Sequence, residues 1–328
     1  MRPVTSFPLR RPRRRRRTPA LRSAFAETTL DPSRLIAPLF VKEGIPAPAP
    51  IASMPGVYQH TLESLIKETR ELMSRGISGV LLFAVPNHKD ASGSQAGDPA
   101  GISQRALTAL KEELGDDAVV IADLCLCEYT SHGHCGVLDG ARVDNDATLE
   151  RYKQIAVAQA RAGADIVAPS GMMDGQVGAI RAALDEAGGN DTVILAYTAK
   201  YASSFYGPFR DAAEGAPQFG DRRSYQQDPA NFDEALREAA LDVAEGADAL
   251  MVKPATHYLD VLRAIKDRFD LPTAAYNVSG EYSMLMAAAQ RGWIDERAAT
   301  LETLTAIRRA GADLIVTYHA KKAAEWLA

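Results

Sequence analysis

A short phrase recurs at the seams of this chain. Ala162-Gly-Ala-Asp165, Glu245-Gly-Ala-Asp248 and Ala310-Gly-Ala-Asp313 each close an amphipathic stretch and open an apolar run. Glycine just past the last helical turn takes the left-handed conformation that ends a helix, so each phrase reads as helix, cap, strand. Arg75-Gly-Ile-Ser-Gly79 is a looser version. The apolar runs fall at residues 35–40, 79–85, 118–124, 165–168, 192–197, 249–252, 273–278 and 313–317. Runs this continuous are what strands buried on both faces look like. Stretches with apolar residues at i, i+3 and i+4 lie between them, at 62–74, 104–114, 149–162, 175–187, 232–244 and 258–269, as amphipathic helices require. Eight strands alternating with helices predict an α/β chain folded as a (β/α)8 TIM barrel over residues 35–328. An open doubly wound sheet is the alternative. No Gly-x-Gly-x-x-Gly follows an early strand, which counts against a dinucleotide fold.

A barrel places its chemistry at the C-terminal ends of its strands. The third run leads into Asp123-Leu-Cys-Leu-Cys-Glu-Tyr-Thr-Ser-His-Gly-His-Cys135, which holds every cysteine of the chain. Cys125, Cys127 and Cys135 suit zinc, and three protein ligands leave a fourth position open for chemistry; His132 or His134 would close it. The fifth run ends at Lys200 and the sixth at Lys253. A crowded, desolvated amine loses its proton easily, and a neutral amine forms a Schiff base with a carbonyl compound; lysine also binds phosphate. Residues 201–231 show no periodicity and carry Arg210 and Arg222 beside aromatic residues. A loop this long in a compact domain is a lid or binding loop, and its arginines can grip a carboxylate. Asp144–Asp146 and Asp221–Arg223 read as turns, and Glu238 by itself as a solvated helix face.

Charge divides the chain. The first 22 residues carry nine arginines and no acid, while the remainder carries 28 basic and 42 acidic residues. Pro3, Pro8, Pro12 and Pro19 predict an extended or irregular arm over residues 1–34, with regular helix blocked. The arm's charge admits three readings: a nucleic-acid or membrane-surface segment, a transit peptide, or an arm lying across an acidic neighbouring subunit. No apolar stretch makes it a secretory signal, and no run nears the ~20 apolar residues of a membrane span. Three cysteines grouped for a metal imply a reducing, cytoplasmic setting.

These residues together resemble the porphobilinogen synthase (5-aminolevulinic acid dehydratase) family. The resemblance runs from Arg11-Pro-Arg-Arg14 to Tyr318 and rests on the cysteine stretch through Gly136, on residues 201–210, and on Gly220-Asp-Arg-Arg223, Met251-Val-Lys-Pro254 and Val278-Ser-Gly-Glu-Tyr282. It implies a barrel that condenses two 5-aminolevulinate molecules to porphobilinogen. Lys200 and Lys253 would be the Schiff-base lysines, and Cys125, Cys127 and Cys135 the zinc ligands of the cysteine-type branch. It implies Arg210 and Arg222 on one substrate carboxylate, Ser279 and Tyr318 on the other, with Asp123 and Ser170 as further polar contacts. It also implies a stimulatory magnesium at Glu238 and a homo-octamer whose arms wrap neighbouring subunits, with no nucleic-acid or membrane partner. Gly171 and Ala255 depart from the family's usual aspartate and glycine. The competing readings are a class I aldolase, which needs one lysine and no metal, a nucleic-acid binder led by the arm, and a closed structural zinc site.

Overall fold

The computed structural model describes residues 9–328. Eight parallel strands form the frame: β1 (Leu35–Lys42), β2 (Gly79–Val85), β3 (Val119–Leu124), β4 (Ile166–Pro169), β5 (Val193–Lys200), β6 (Ala249–Lys253), β7 (Thr273–Asn277) and β8 (Leu314–Thr317). Each pairs with the next, and β1 pairs with β8 at Leu35↔Ile315 and Ile36↔Val316, which closes the cylinder. Strand parity sorts the core into two layers. Phe40, Phe83, Ile121, Leu195, Met251 and Tyr276 fill the barrel. Leu39, Leu82, Val120, Ile194, Leu250 and Ala275 pack outward against the helices. Both strand faces are therefore dry, as the continuous apolar runs require.

The recurring phrase does two jobs. Gly163, Gly246 and Gly311 have φ of 102°, 99° and 124°, the left-handed region a helix C-terminus uses. The aspartates then reach back to the strand before. Asp165 Oδ2 accepts from the Val120 amide at 2.8 Å, Asp248 Oδ2 from Ile194 at 2.8 Å, and Asp313 Oδ2 from Thr273 at 3.0 Å. Three times, one carboxylate occupies an otherwise unpaired amide at the strand's N-terminal end, away from the mouth.

The six amphipathic stretches are helices, with ends moved by up to four residues. Helices Ser279–Gln290, Glu296–Ala310 and Ala320–Leu327 escaped the periodicity reading; the first is rich in Ala and Met, so it lacks the apolar–polar contrast that reveals a helical face. Asp144 is not in a turn: its side chain accepts from the Ala147 amide and caps helix Asn145–Arg161. The arm departs from an extended segment where it is described. Pro12–Arg16 is a 3-10 turn and Pro19–Ala24 a short helix capped by Thr18. Proline is disfavoured inside helices but suits their first turn, so Pro12 and Pro19 start helical turns rather than prevent them. Pro3 and Pro8 lie outside the described residues.

Candidate active site

Lys253 arrives by simple alternation. On β6, Ala249 and Met251 point into the barrel and Leu250 and Val252 point out, so Lys253 points in. Lys200 needs an irregularity. Leu195 and Tyr197 face inward, yet Ala199, of the same parity, packs on the outer layer. The pairing of β5 with β6 steps from Leu250↔Ala196 to Val252↔Ala199. This bulge adds one residue to β5 and reverses its phase. Lys200 is thereby turned into the mouth and becomes the register partner of Lys253. Both lysines are almost fully buried, at 4% and 5% exposed, so the mouth is closed.

The two amines have different surroundings. Lys200 Nζ donates to the Ser170 carbonyl. Burial alone would push its ammonium down, but the negative field of Cys135, Cys125, Cys127 and Asp123 outweighs burial and holds its pKa above the usual lysine range. Lys253 Nζ sits 4.4 Å from the Tyr276 ring centre, 5.1 Å from Tyr197 and Phe209, and 5.4 Å from Tyr206. Burial, reinforced by the Lys200 charge, lowers its pKa from 10.5 to about 7. That change corresponds to on the order of 5 kcal/mol against the ammonium. Attraction of a cation to ring faces, about 0.5–2 kcal/mol, opposes it without cancelling it. This cage was not foreseen from sequence, although Tyr197 and Tyr276 stand at inward positions of β5 and β7.

Cys125, Cys127 and Cys135 come together beside Lys200. Their sulfurs lie within 4.8 Å of one another, all buried, and they are the only cluster of three or more metal-binding side chains among the described residues. This trio can hold one metal ion. The histidines do not join it. His132 uses Nε2 on the Ala91 carbonyl and Nδ1 on the His134 amide, and His134 uses both ring nitrogens on Tyr225 and the Phe219 carbonyl. The closed four-ligand site therefore lacks its fourth donor. Glu128, buried next to Cys127 and with Oε1 unpartnered, was also missed by sequence reading.

Asp123 and Ser170 meet between the thiols and the lysines: Ser170 Oγ donates to Asp123 Oδ2 at 3.1 Å. Burial, helped by Glu128, raises the Asp123 carboxyl to about 7 against the pull of Lys200 and Lys253. Such a carboxyl exchanges protons readily at neutral pH. Asp123 Oδ1 and the Tyr197 hydroxyl are both buried without a partner. Gly171 beside Ser170 has a steric reason: a Cβ there would lie 1.7 Å from the Tyr152 hydroxyl, which donates to the Cys135 carbonyl at 2.6 Å.

The loop after β5 covers the mouth and contains a short helix, Gly207–Ala212. Arg222 is buried, with Nη2 on the carbonyls of Gly133 and Gly215 at 2.8 and 2.6 Å. Arg210 is close enough that burial and then the Arg222 charge push its pKa down. Each guanidinium keeps a buried, unpartnered Nε. Two neighbouring cations with spare donors can receive an anion. Ser279 Oγ instead accepts from the Phe209 amide at 3.0 Å and tethers this loop, and the Tyr318 hydroxyl meets that of Tyr276 at 2.9 Å. Glu238 lies apart, in a surface cavity of about 690 Å³ with Asp174, Glu234 and Arg223. Burial, Asp174 and Glu234 raise its pKa.

Among the described residues no helix is long and apolar enough to cross a membrane. The profile of the family described as "Delta-aminolevulinic acid dehydratase" matches residues 9–326. A relative of that name from Synechococcus elongatus is 57% identical over 326 residues, spanning 98% of this chain and 100% of the relative. Another, from Streptomyces coelicolor, is 58% identical over 325 residues and 98% of each chain. The crystal structure of delta-aminolevulinic acid dehydratase (porphobilinogen synthase) from Toxoplasma gondii, in complex with the reaction product porphobilinogen, superposes with a TM-score of 0.94 at 48% identity, covering 99% of this chain and 92% of the other. A barrel of this topology, matched almost end to end, belongs to the delta-aminolevulinic acid dehydratase family.

Proposed function

We propose that this chain is a hydro-lyase that condenses two molecules of 5-aminolevulinate into porphobilinogen, with loss of two waters, in tetrapyrrole (haem) biosynthesis. The observation that carries the reading is the pair of buried lysines in register at the ends of β5 and β6. The Lys253 amine, neutral in a large fraction at pH 7, adds to the ketone carbon of one substrate, and loss of water leaves an imine. Lys200 holds the second substrate as an imine once its ammonium has given up a proton. Two tethered ketones are no longer free to diffuse, which lowers the barrier by up to about 7–11 kcal/mol in ideal geometry. Arg210 and Arg222 take one carboxylate through their spare donors. Ser279, at the start of a helix whose N-terminus favours anions, and Tyr318 take the other. Asp123 and Ser170 line the space between, and Asp123 holds an exchangeable proton there.

The cysteine trio fits zinc. Tetrahedral zinc at about 2.3 Å from each sulfur sets the sulfurs about 3.8 Å apart, within the observed 4.8 Å limit, and three protein ligands leave one position open. Zinc held there supplies Lewis-acid polarisation of a substrate oxygen. A magnesium ion at Glu238, remote from the chemistry, is part of the same reading, since Mg²⁺ uses one or two carboxylates and keeps its waters. So are a homo-octamer joined by the arginine-rich arm and a cytoplasmic setting for three unpaired thiols.

The test is trapping. The protein is mixed with 5-aminolevulinate, reduced with borohydride and mapped by peptide mass spectrometry. An adduct on Lys253, with or without one on Lys200, is expected. No adduct on either lysine in metal-loaded protein would overturn the reading.

A further inference from the structure

The loop over the mouth carries a residue in an unfavourable conformation. Glu214 has φ of +51°, a region that non-glycine residues rarely enter. An observed outlier of this kind points to something that holds it there. Here three elements converge on it. Lys42, at the end of β1, pairs with the Glu214 carboxylate. Gln59, on the short strand Tyr58–His60 beside β1, donates to the same oxygen at 3.3 Å and to the Ala212 carbonyl at 2.8 Å. Lys89, in the loop after β2, donates to the Glu214 carbonyl at 2.6 Å.

The peptides beside Glu214 join both mouth arginines. The Gly215 amide donates to the Arg210 carbonyl at 3.3 Å, and the Gly215 carbonyl accepts from Arg222 Nη2 at 2.6 Å. The same segment lies flat on the cysteine loop. A Cβ on Gly215 would come 2.9 Å from the Cys127 carbonyl, and one on Gly133 would come 2.2 Å from the Ala216 carbonyl. Anchoring Glu214 thus fixes the register of the loop against β1, β2 and the cysteine stretch at once, and with it the backbone of Arg210 and the guanidinium of Arg222.

We propose that Glu214 is a positioning residue: a latch, held by Lys42, Lys89 and Gln59, that keeps the loop closed with Arg210 and Arg222 set for a substrate carboxylate. The proposal rests on the reading of those arginines given above. Its effect falls on binding, because a site formed in only a fraction of molecules binds weaker by that fraction.

The test uses the metal-loaded full chain. Glu214→Gln keeps the shape and removes the charge. KM for 5-aminolevulinate is expected to rise by about 2–5-fold with kcat falling less than about twofold. Tryptic cleavage after Arg223 in substrate-free protein should accelerate. The reciprocal pair Glu214→Lys with Lys42→Glu should recover protease protection and part of the KM. Unchanged KM with unchanged cleavage overturns the latch, and so does a fall in kcat alone. If Glu214→Gln does not fold, Lys42→Met and Lys89→Met carry the same measurements. Protease protection is independent of substrate, so a failed trapping experiment with a positive protease result would refute the proposed reaction and leave the latch standing.

Discussion

The two flanks of the barrel mouth carry the same side chain and give it opposite properties. On the β5 flank, Lys200 lies beside thiols and a carboxyl and is held charged. On the β6 flank, Lys253 lies among four aromatic rings and falls to about 7. The strands are adjacent and the residues in register, so position along the strand does not explain the difference. It comes from what other strands contribute: β3 and its loop supply the sulfurs, while β7 and the loop after β5 supply most of the rings. One amine can lose its proton near neutral pH and the other stays a cation until its surroundings change.

Removing the nucleophilic flank should have the largest effect. Lys253→Ala is expected to cut turnover by about 10⁴-fold or more, on the scale of a lost nucleophile, with the fold intact by circular dichroism. Appreciable residual turnover would mean that the flanks are interchangeable. Next comes the sulfur flank. Cys127→Ala should lower bound zinc and activity together, the latter by at least about 100-fold; metal analysis beside the assay decides it.

A finer test moves the flanks against each other. A lysine deprotonates as pH rises, so trapping of substrate on Lys253 should increase through about pH 7. Lys200→Met removes the neighbouring positive charge that helps depress Lys253, so the midpoint should move upward by on the order of one pH unit. A midpoint that stays put would assign the whole depression to burial. Glu238→Gln should touch neither flank. It is expected to weaken stimulation by magnesium while leaving zinc content and the trapping profile unchanged. An unaltered magnesium response would remove that ion from Glu238.

Much of this was legible in the chain itself. The alternation of apolar runs with amphipathic stretches specifies the barrel because each signal is local: a buried strand and a half-buried helix have different periods. The Gly-Ala-Asp phrase specifies the seams, since a left-handed cap needs glycine. Lys253 follows from counting alternate residues along β6. The spacing of Cys125, Cys127 and Cys135 announces a soft metal site because ligand type is written in the residue itself.

Other features belong to the tertiary structure alone. Parity along β5 would turn Lys200 outward; only a bulge set by pairing with β6 turns it in. Asp144 reads as a turn residue until the helix it caps is present. Nothing local says that His132 and His134 spend their nitrogens on Ala91, Tyr225 and Phe219, or that Glu214 meets Lys42 across 172 positions of sequence. The charge states of the two lysines depend on groups from distant parts of the chain. The sequence determined which chemical groups exist and which local elements carry them. Folding decided which groups share a dry space, and in that space burial and neighbouring charge, more than residue type, set which amine gives up its proton.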